Sequence, residues 1–141
     1  MTAAPATALE VGTVVVEREV HITRDSLVRY AGASGDFNPI HYRDDVAVSV
    51  GLPGVLAHGM LTMGLAVQPV SEWLGDSGWV AGYGVRFTRL VVVDPEQGAT
   101  VGIVAKVGTV DDDGRPKRID LTVTAAGQTV LGKAQVTVAF R

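Results

Sequence analysis

Gly59-Met-Leu-Thr-Met-Gly-Leu-Ala-Val67 is apolar on nearly every side of a helix, and a helix tolerates that only when something encloses it. Continued through Gln68-Pro69-Val70, the stretch predicts a buried helix from His58 or Gly59 to Leu74. Gly51 to Val70 is about the length of a membrane span, but His58, Gln68, Pro53, Pro69 and four glycines interrupt it. The expectation is therefore a helix inside a protein, with no membrane as partner.

The flanking segments supply the enclosure. Val11 to Ile22 puts Val14, Val16, Val20 and Ile22 on one parity, which reads as a first strand. After the helix, Trp79 to Val91, Thr100 to Val110, Ile119 to Ala125 and Val130 to Phe140 alternate apolar and polar residues. Period two is what a sheet with one covered face produces. Asp111-Asp112-Asp113-Gly114 and Ala126-Gly127-Gln128 read as hairpin turns, making the last three strands an antiparallel meander. Between the first strand and the long helix lie two short helical pieces. One is capped by Thr23, runs to about Ala33 and is stopped by Gly35; the other runs from Asp44 or Asp45 to near Gly51. The layout is α+β: a single hot-dog domain, with a curved antiparallel sheet of about five strands wrapped round one long central helix. The short helical pieces form an overhang. Open sheet edges predict a dimer.

Composition narrows the function classes. The chain has 141 residues, with 12 Lys and Arg against 15 Asp and Glu for a net charge of −3. One domain with a genuine core is expected, residues 11–141, preceded by a loose segment 1–10 that has no secretory-signal pattern. Mild acidity and scattered cations speak against nucleic acid as a partner. The absence of cysteine excludes disulfides, thiolate metal sites and a cysteine nucleophile. A cytoplasmic location is expected.

The polar insertion Tyr30-Ala-Gly-Ala-Ser34-Gly35-Asp36-Phe37-Asn38-Pro39-Ile40-His41 carries the chemistry. Pro39 excludes Asn38 from helical conformation and cannot donate an N–H, so Asp36 to Ile40 should be an extended or turned loop. Asp36 and His41 then converge. A carboxylate beside an imidazole can orient a water and remove its proton. The same residues admit plainer readings, Asp36 as a turn cap and His41 as a core-edge histidine. His41, Asp44, Asp45 and His58 are also potential metal donors, although they have no recognised ligand spacing. In Ala57-His58-Gly59-Met60, the Gly59 N–H lies at the positive end of the helix dipole, where it could meet a developing oxyanion. Alternatively, His58-Gly59 is only a helix entry and a tight packing point.

Taken together, Ser34-Gly35-Asp36-Phe37-Asn38-Pro39-Ile40-His41, Ala47, Ala57-His58-Gly59-Met60 and Val85-Arg86-Phe87-Thr88 resemble the MaoC-like (R)-specific enoyl-CoA hydratases and dehydratases. Within that family the likeness is greatest to the B-subunit type of the actinobacterial (3R)-hydroxyacyl-acyl carrier protein dehydratases. The resemblance implies reversible syn hydration of trans-2-enoyl thioesters to (3R)-3-hydroxyacyl thioesters, without cofactor or metal. It assigns the water to Asp36 and His41, loop positioning to Asn38 and carbonyl polarisation to Gly59, leaving open which of the pair is the base. The implied partners are an acyl thioester of CoA or of acyl carrier protein, and a second subunit, identical or a related hot-dog chain. Leu65, Met63, Trp73 or Trp79 are candidate tunnel residues. Arg86, Arg89 and the Arg115-Pro-Lys117-Arg118 turn are candidate contacts for phosphate or an acidic carrier. The alternatives are a hot-dog acyl thioesterase and a non-catalytic acyl-binding subunit.

Overall fold

In the computed structural model, which describes residues 4–141, the alternating segments become five strands: β1 (Val14–Ile22), β2 (Gly78–Phe87), β3 (Ala99–Val110), β4 (Pro116–Ala125) and β5 (Gln128–Phe140). The helices are α1 (Arg24–Ser34), α2 (Asp44–Ser49) and α3 (Gly59–Leu74), with 3₁₀ turns at Pro39–His41 and Gly75–Ser77. The strands form one antiparallel sheet in the order β1-β3-β4-β5-β2. This is the hot-dog layout, with the β3-β4-β5 meander at its centre and non-local pairings outside.

The core follows from the alternation. Val101, Ile103, Ala105 and Val107 of β3 and Ile119, Leu121 and Val123 of β4 are buried, in one cluster with Ala66, Val70 and Leu74 of α3. The buried stripe of α3 is Thr62, Ala66, Pro69, Val70 and Leu74. Leu61, Leu65, Val67 and Trp73 are only partly covered, so a single chain encloses the helix less completely than its composition suggests. Tyr83 of β2 ties helix to sheet by donating its hydroxyl to the Met63 carbonyl at 2.8 Å. Burial pushes the Tyr83 phenol up to about 12. Ile103→Ala should cost about 2–5 kcal/mol, read from the denaturant midpoint. A loss below about 1 kcal/mol would show that this face is not the core.

Helix α1 has the start and stop its sequence predicts. Thr23 Oγ1 accepts from the Ser26 N–H and Ser26 Oγ from the Thr23 N–H, a capping box. Gly35 ends the helix at φ 77°, its N–H donating to the Ala31 carbonyl, a conformation glycine adopts without a Cβ penalty. Strand parity is less faithful. A bulge between Val14 and Val16 turns Val15 fully inward and leaves Val14 exposed, against the expected set. Register shifts at Val80/Gly82 and Gly84/Arg86 leave Trp79 and Phe87 about half exposed. Each bulge inserts a residue and reverses the alternation beyond it. Of the expected loose segment 1–10, residues 1–3 lie outside the described residues, and Leu9 donates its N–H to the Gly114 carbonyl at 2.9 Å. No helix among the described residues is long and apolar enough to cross a membrane.

Candidate active site

The loop between α1 and α2 is built from side chains bonding the backbone two residues on. Ser34 Oγ accepts from the Asp36 N–H at 3.1 Å, Asp36 Oδ1 from the Asn38 N–H at 3.2 Å, and Asn38 Oδ1 from the Ile40 N–H at 3.2 Å. Ser, Asp and Asn suit such turns because their short side chains reach the nearby backbone. Pro39 needs no acceptor and opens the 3₁₀ turn that carries His41. With Asp36 Oδ1 held by the turn, Oδ2 is the oxygen facing His41, 3.9 Å from Nε2. Asp36 and His41 are thus brought together, and Asn38 braces the turn between them.

His41 is oriented from outside its own loop. Its Nδ1 lies 2.7 Å from the Leu56 carbonyl; a carbonyl only accepts, so Nδ1 carries the hydrogen and Nε2 presents a lone pair toward Asp36. The Leu56 segment is fixed on both flanks. Leu56 N–H donates to the Ile40 carbonyl, Ala57 N–H to the Val91 carbonyl, and Val93 N–H to the Val55 carbonyl. Residues 88–91, expected to extend the strand, lie outside it: β2 stops at Phe87, and Val91 joins this flank.

The same segment delivers Gly59 to the start of α3. No side chain caps this helix, and the Gly59 amide has no acceptor among the described residues. A cavity of about 200 Å³ is lined by His41, Gly59, Thr62, Phe87 and Arg89, among others. A Cβ on Gly59 would lie 2.9 Å from Phe87 Cε1, so any side chain here would force the Phe87 ring to shift. Arg89 also lines an adjoining groove of about 440 Å³ and donates to the Thr129 carbonyl. Leu65, Met63, Trp73 and Trp79 do not line the His41 cavity. Arg86 lies in a separate groove with Arg118 and Lys133. In the basic turn, Arg115 is engaged by Asp111 and Arg118 by Asp120.

His58, by sequence a helix entry or a metal donor, lies beneath the pair. Its ring stacks on His41 with centroids 3.8 Å apart and planes at 21°. It is 1% exposed, and its Nε2 meets the Asp36 backbone oxygen at 3.2 Å. The only local hint was a histidine at the threshold of an enclosed helix. Asp44 and Asp45, the other candidate metal donors, are held by Arg24 and Arg43. Asp36, His41 and His58 do each offer one donor atom within 4.8 Å of the others. Stacked rings, however, direct their in-plane lone pairs along nearly parallel planes, which do not meet at the about 2.0–2.1 Å a ring-bound zinc requires.

Burial pushes the His58 imidazole below its ordinary value, and His41 acts in the same direction, against the bond to the Asp36 carbonyl. A histidine kept neutral in the fold binds fewer protons than in the unfolded chain, so stability is present above about 6.5 and falls as pH drops below it. Denaturant midpoints measured from pH 7.5 downward should decline, and His58→Gln should flatten that decline. An unchanged slope in the variant would refute the assignment.

Residues 7–129 match the family model described as MaoC like domain. The chain is 34% identical over 89 residues to 3-hydroxyacyl-thioester dehydratase X of Mycobacterium tuberculosis, covering 63% of this chain and 29% of that protein. A solved structure titled MaoC-like dehydratase superposes with TM-score 0.87 at 33% identity, over 98% of this chain and 43% of that one. The (R)-hydratase from A. caviae involved in PHA biosynthesis shares the fold, with TM-score 0.82 at 22% identity over 96% of this chain and all of that one. The chain thus spans less than a third of the curated relative and less than half of the first structural neighbour.

Proposed function

Because the chain belongs to the MaoC-like domain family, we propose that it adds water reversibly to trans-2-enoyl thioesters, giving (3R)-3-hydroxyacyl thioesters in fatty-acid metabolism. The observation that carries this reading is the facing of Asp36 Oδ2 and His41 Nε2 across 3.9 Å beside the His41 and Gly59 cavity. A water about 2.8 Å from both atoms would subtend roughly 90° between them, close to its own bond angle, and could donate one hydrogen to each.

In hydration the water oxygen bonds to C3 while the C2–C3 π pair moves toward the thioester oxygen. His41 Nε2, the free lone pair of the ring, takes the water proton, and the Asp36 carboxylate stabilises the resulting imidazolium. The Gly59 N–H, at the positive end of α3, supports the developing oxyanion. The imidazolium then returns a proton to C2 on the same face. Dehydration is the reverse, and no cofactor takes part. The thioester belongs to CoA or to a carrier protein, with Arg89 the candidate contact for its anionic arm.

A second hot-dog subunit, a copy or a relative, completes the rim. Phe37, Met60, Phe87 and Leu90 are each more than half exposed, and Phe87 and Leu90 line the cavity. Large apolar side chains left exposed beside a cavity mouth are what a partner surface would cover. A chain sedimenting alone at monomer mass with full activity would remove this part of the reading.

The functional test is enoyl absorbance with crotonyl-CoA and longer substrates, together with the chirality of the product. Loss of absorbance with (3R) product is expected. Release of free thiol with the enoyl signal intact would replace hydration by thioester hydrolysis.

A further inference from the structure

Hydration as proposed uses Asp36, His41 and Gly59 and leaves His58 unassigned, although His58 is the most deeply buried polar side chain in the cluster. Three groups face its ring: His41 from the 3₁₀ turn in a stack, Tyr30 from α1 edge-on with centroids 4.7 Å apart, and Asp36 from the loop. The Asp36 contact is a backbone carbonyl, which only accepts, so His58 Nε2 carries the hydrogen and Nδ1 is bare. Nδ1 has no partner among the described residues. An apolar side chain here would avoid an orphaned buried nitrogen, so packing alone does not account for a histidine.

The bond from His58 Nε2 falls on the residue whose carboxylate faces His41, and the ring that makes this bond also supports the face of His41. One rigid group therefore touches both members of the pair. We propose that His58 is a positioning residue: it clamps the Asp36 backbone with Nε2–H and the His41 ring with its face, and so sets the separation across which the water is held. The proposal rests on the hydration reading above. Asp36 has use for such a clamp, because its side chain is half exposed and its own stretch of loop is held by local turns, the ties to Leu56 lying four and five residues further on at Ile40 and His41. The bare Nδ1 fits the same role. Protonating it would place a buried N–H without an acceptor and a second cation against the His41 imidazolium, whereas a neutral ring offers that imidazolium a π face.

Three substitutions separate the clamp from simple filling of space. Gln carries its amide nitrogen to about where Nε2 lies, Asn reaches only as far as Nδ1, and Phe keeps the stack without a donor. With crotonyl-CoA, His58→Asn and His58→Phe should lower kcat by about 10–100-fold with KM within about 3-fold, since misplacing a reacting group by about 1 Å can cost that much. His58→Gln, which restores the donor but not the ring face, should lose less kcat than either of these and fall between them and the wild type. Glutamine as poor as asparagine and phenylalanine, or all three at wild-type kcat, would overturn the clamp.

A measurement on the unaltered protein guards against variants that fail to fold. Long-range ¹H–¹⁵N spectra at about pH 7.5 should show His58 as the neutral Nε2–H tautomer, with protonation on lowering the pH setting in below the ordinary histidine midpoint. An Nδ1–H tautomer, or a ring that titrates at or above that midpoint, would overturn the proposal. Wild-type protein inactive on every enoyl thioester would sink the hydration reading instead, with the spectra still deciding whether the clamp exists.

Discussion

His41→Ala is expected to lower turnover of an enoyl thioester by at least about 10²-fold, because it removes the free lone pair proposed to accept the water proton. The variant should remain folded: it loses the Nδ1–H donation to the Leu56 carbonyl, at a cost of about 1–3 kcal/mol. Asp36→Asn should fall as far for a different reason. The amide oxygen can still accept from the Asn38 N–H and keep the turn, but an N–H then faces His41 Nε2 in place of a carboxylate oxygen. That N–H occupies the lone pair the reaction needs and gives the imidazolium no counter-charge. Circular dichroism should be unaltered in both variants. Near-normal rates in either would remove that residue from the chemistry.

Gly59→Val carries the second large effect. The new Cβ would stand 2.9 Å from Phe87 Cε1 and 3.2 Å from Cδ1, so the ring must turn, and Phe87 lines the cavity. A ring displaced over the Gly59 amide would withdraw the proposed oxyanion donor, a loss worth about 10²–10³-fold in kcat. Gly59→Ala paired with Phe87→Ala tests the route: the collision account expects the pair to recover toward the rate of Phe87→Ala alone. Unchanged rates in Gly59→Val would discard both the collision and the amide's role.

Much of this arrangement is legible along the chain because it depends on near neighbours. The Thr23 cap, the Gly35 stop and the start of α3 fell within a residue or so of expectation, since capping and helical periodicity act over three or four positions. β1 begins at Val14 and not at Val11, because Gly12 turns at φ 92° just before it. The polar string from Ser34 to His41 encodes its own turns, each side chain bonding the residue two ahead. Proximity of Asp36 and His41 follows from that ladder together with the 3₁₀ turn at Pro39.

The sequence by itself thus determined the elements, the bent polar loop and the convergence of an acid with an imidazole, all products of contacts between residues close in the chain. Only the tertiary structure decided that Leu56, 15 residues away, selects the His41 tautomer, that His58, 22 residues away, sits beneath the pair, and that Phe87 packs against Gly59. It also decided the pairing of β1 with β3 and of β2 with β5, and the bulge that turns Val15 inward. The reason is physical. A local bond is favoured wherever the chain bends, whereas a contact across tens of residues forms only once burial of the shared core has overcome the entropy of bringing the segments together.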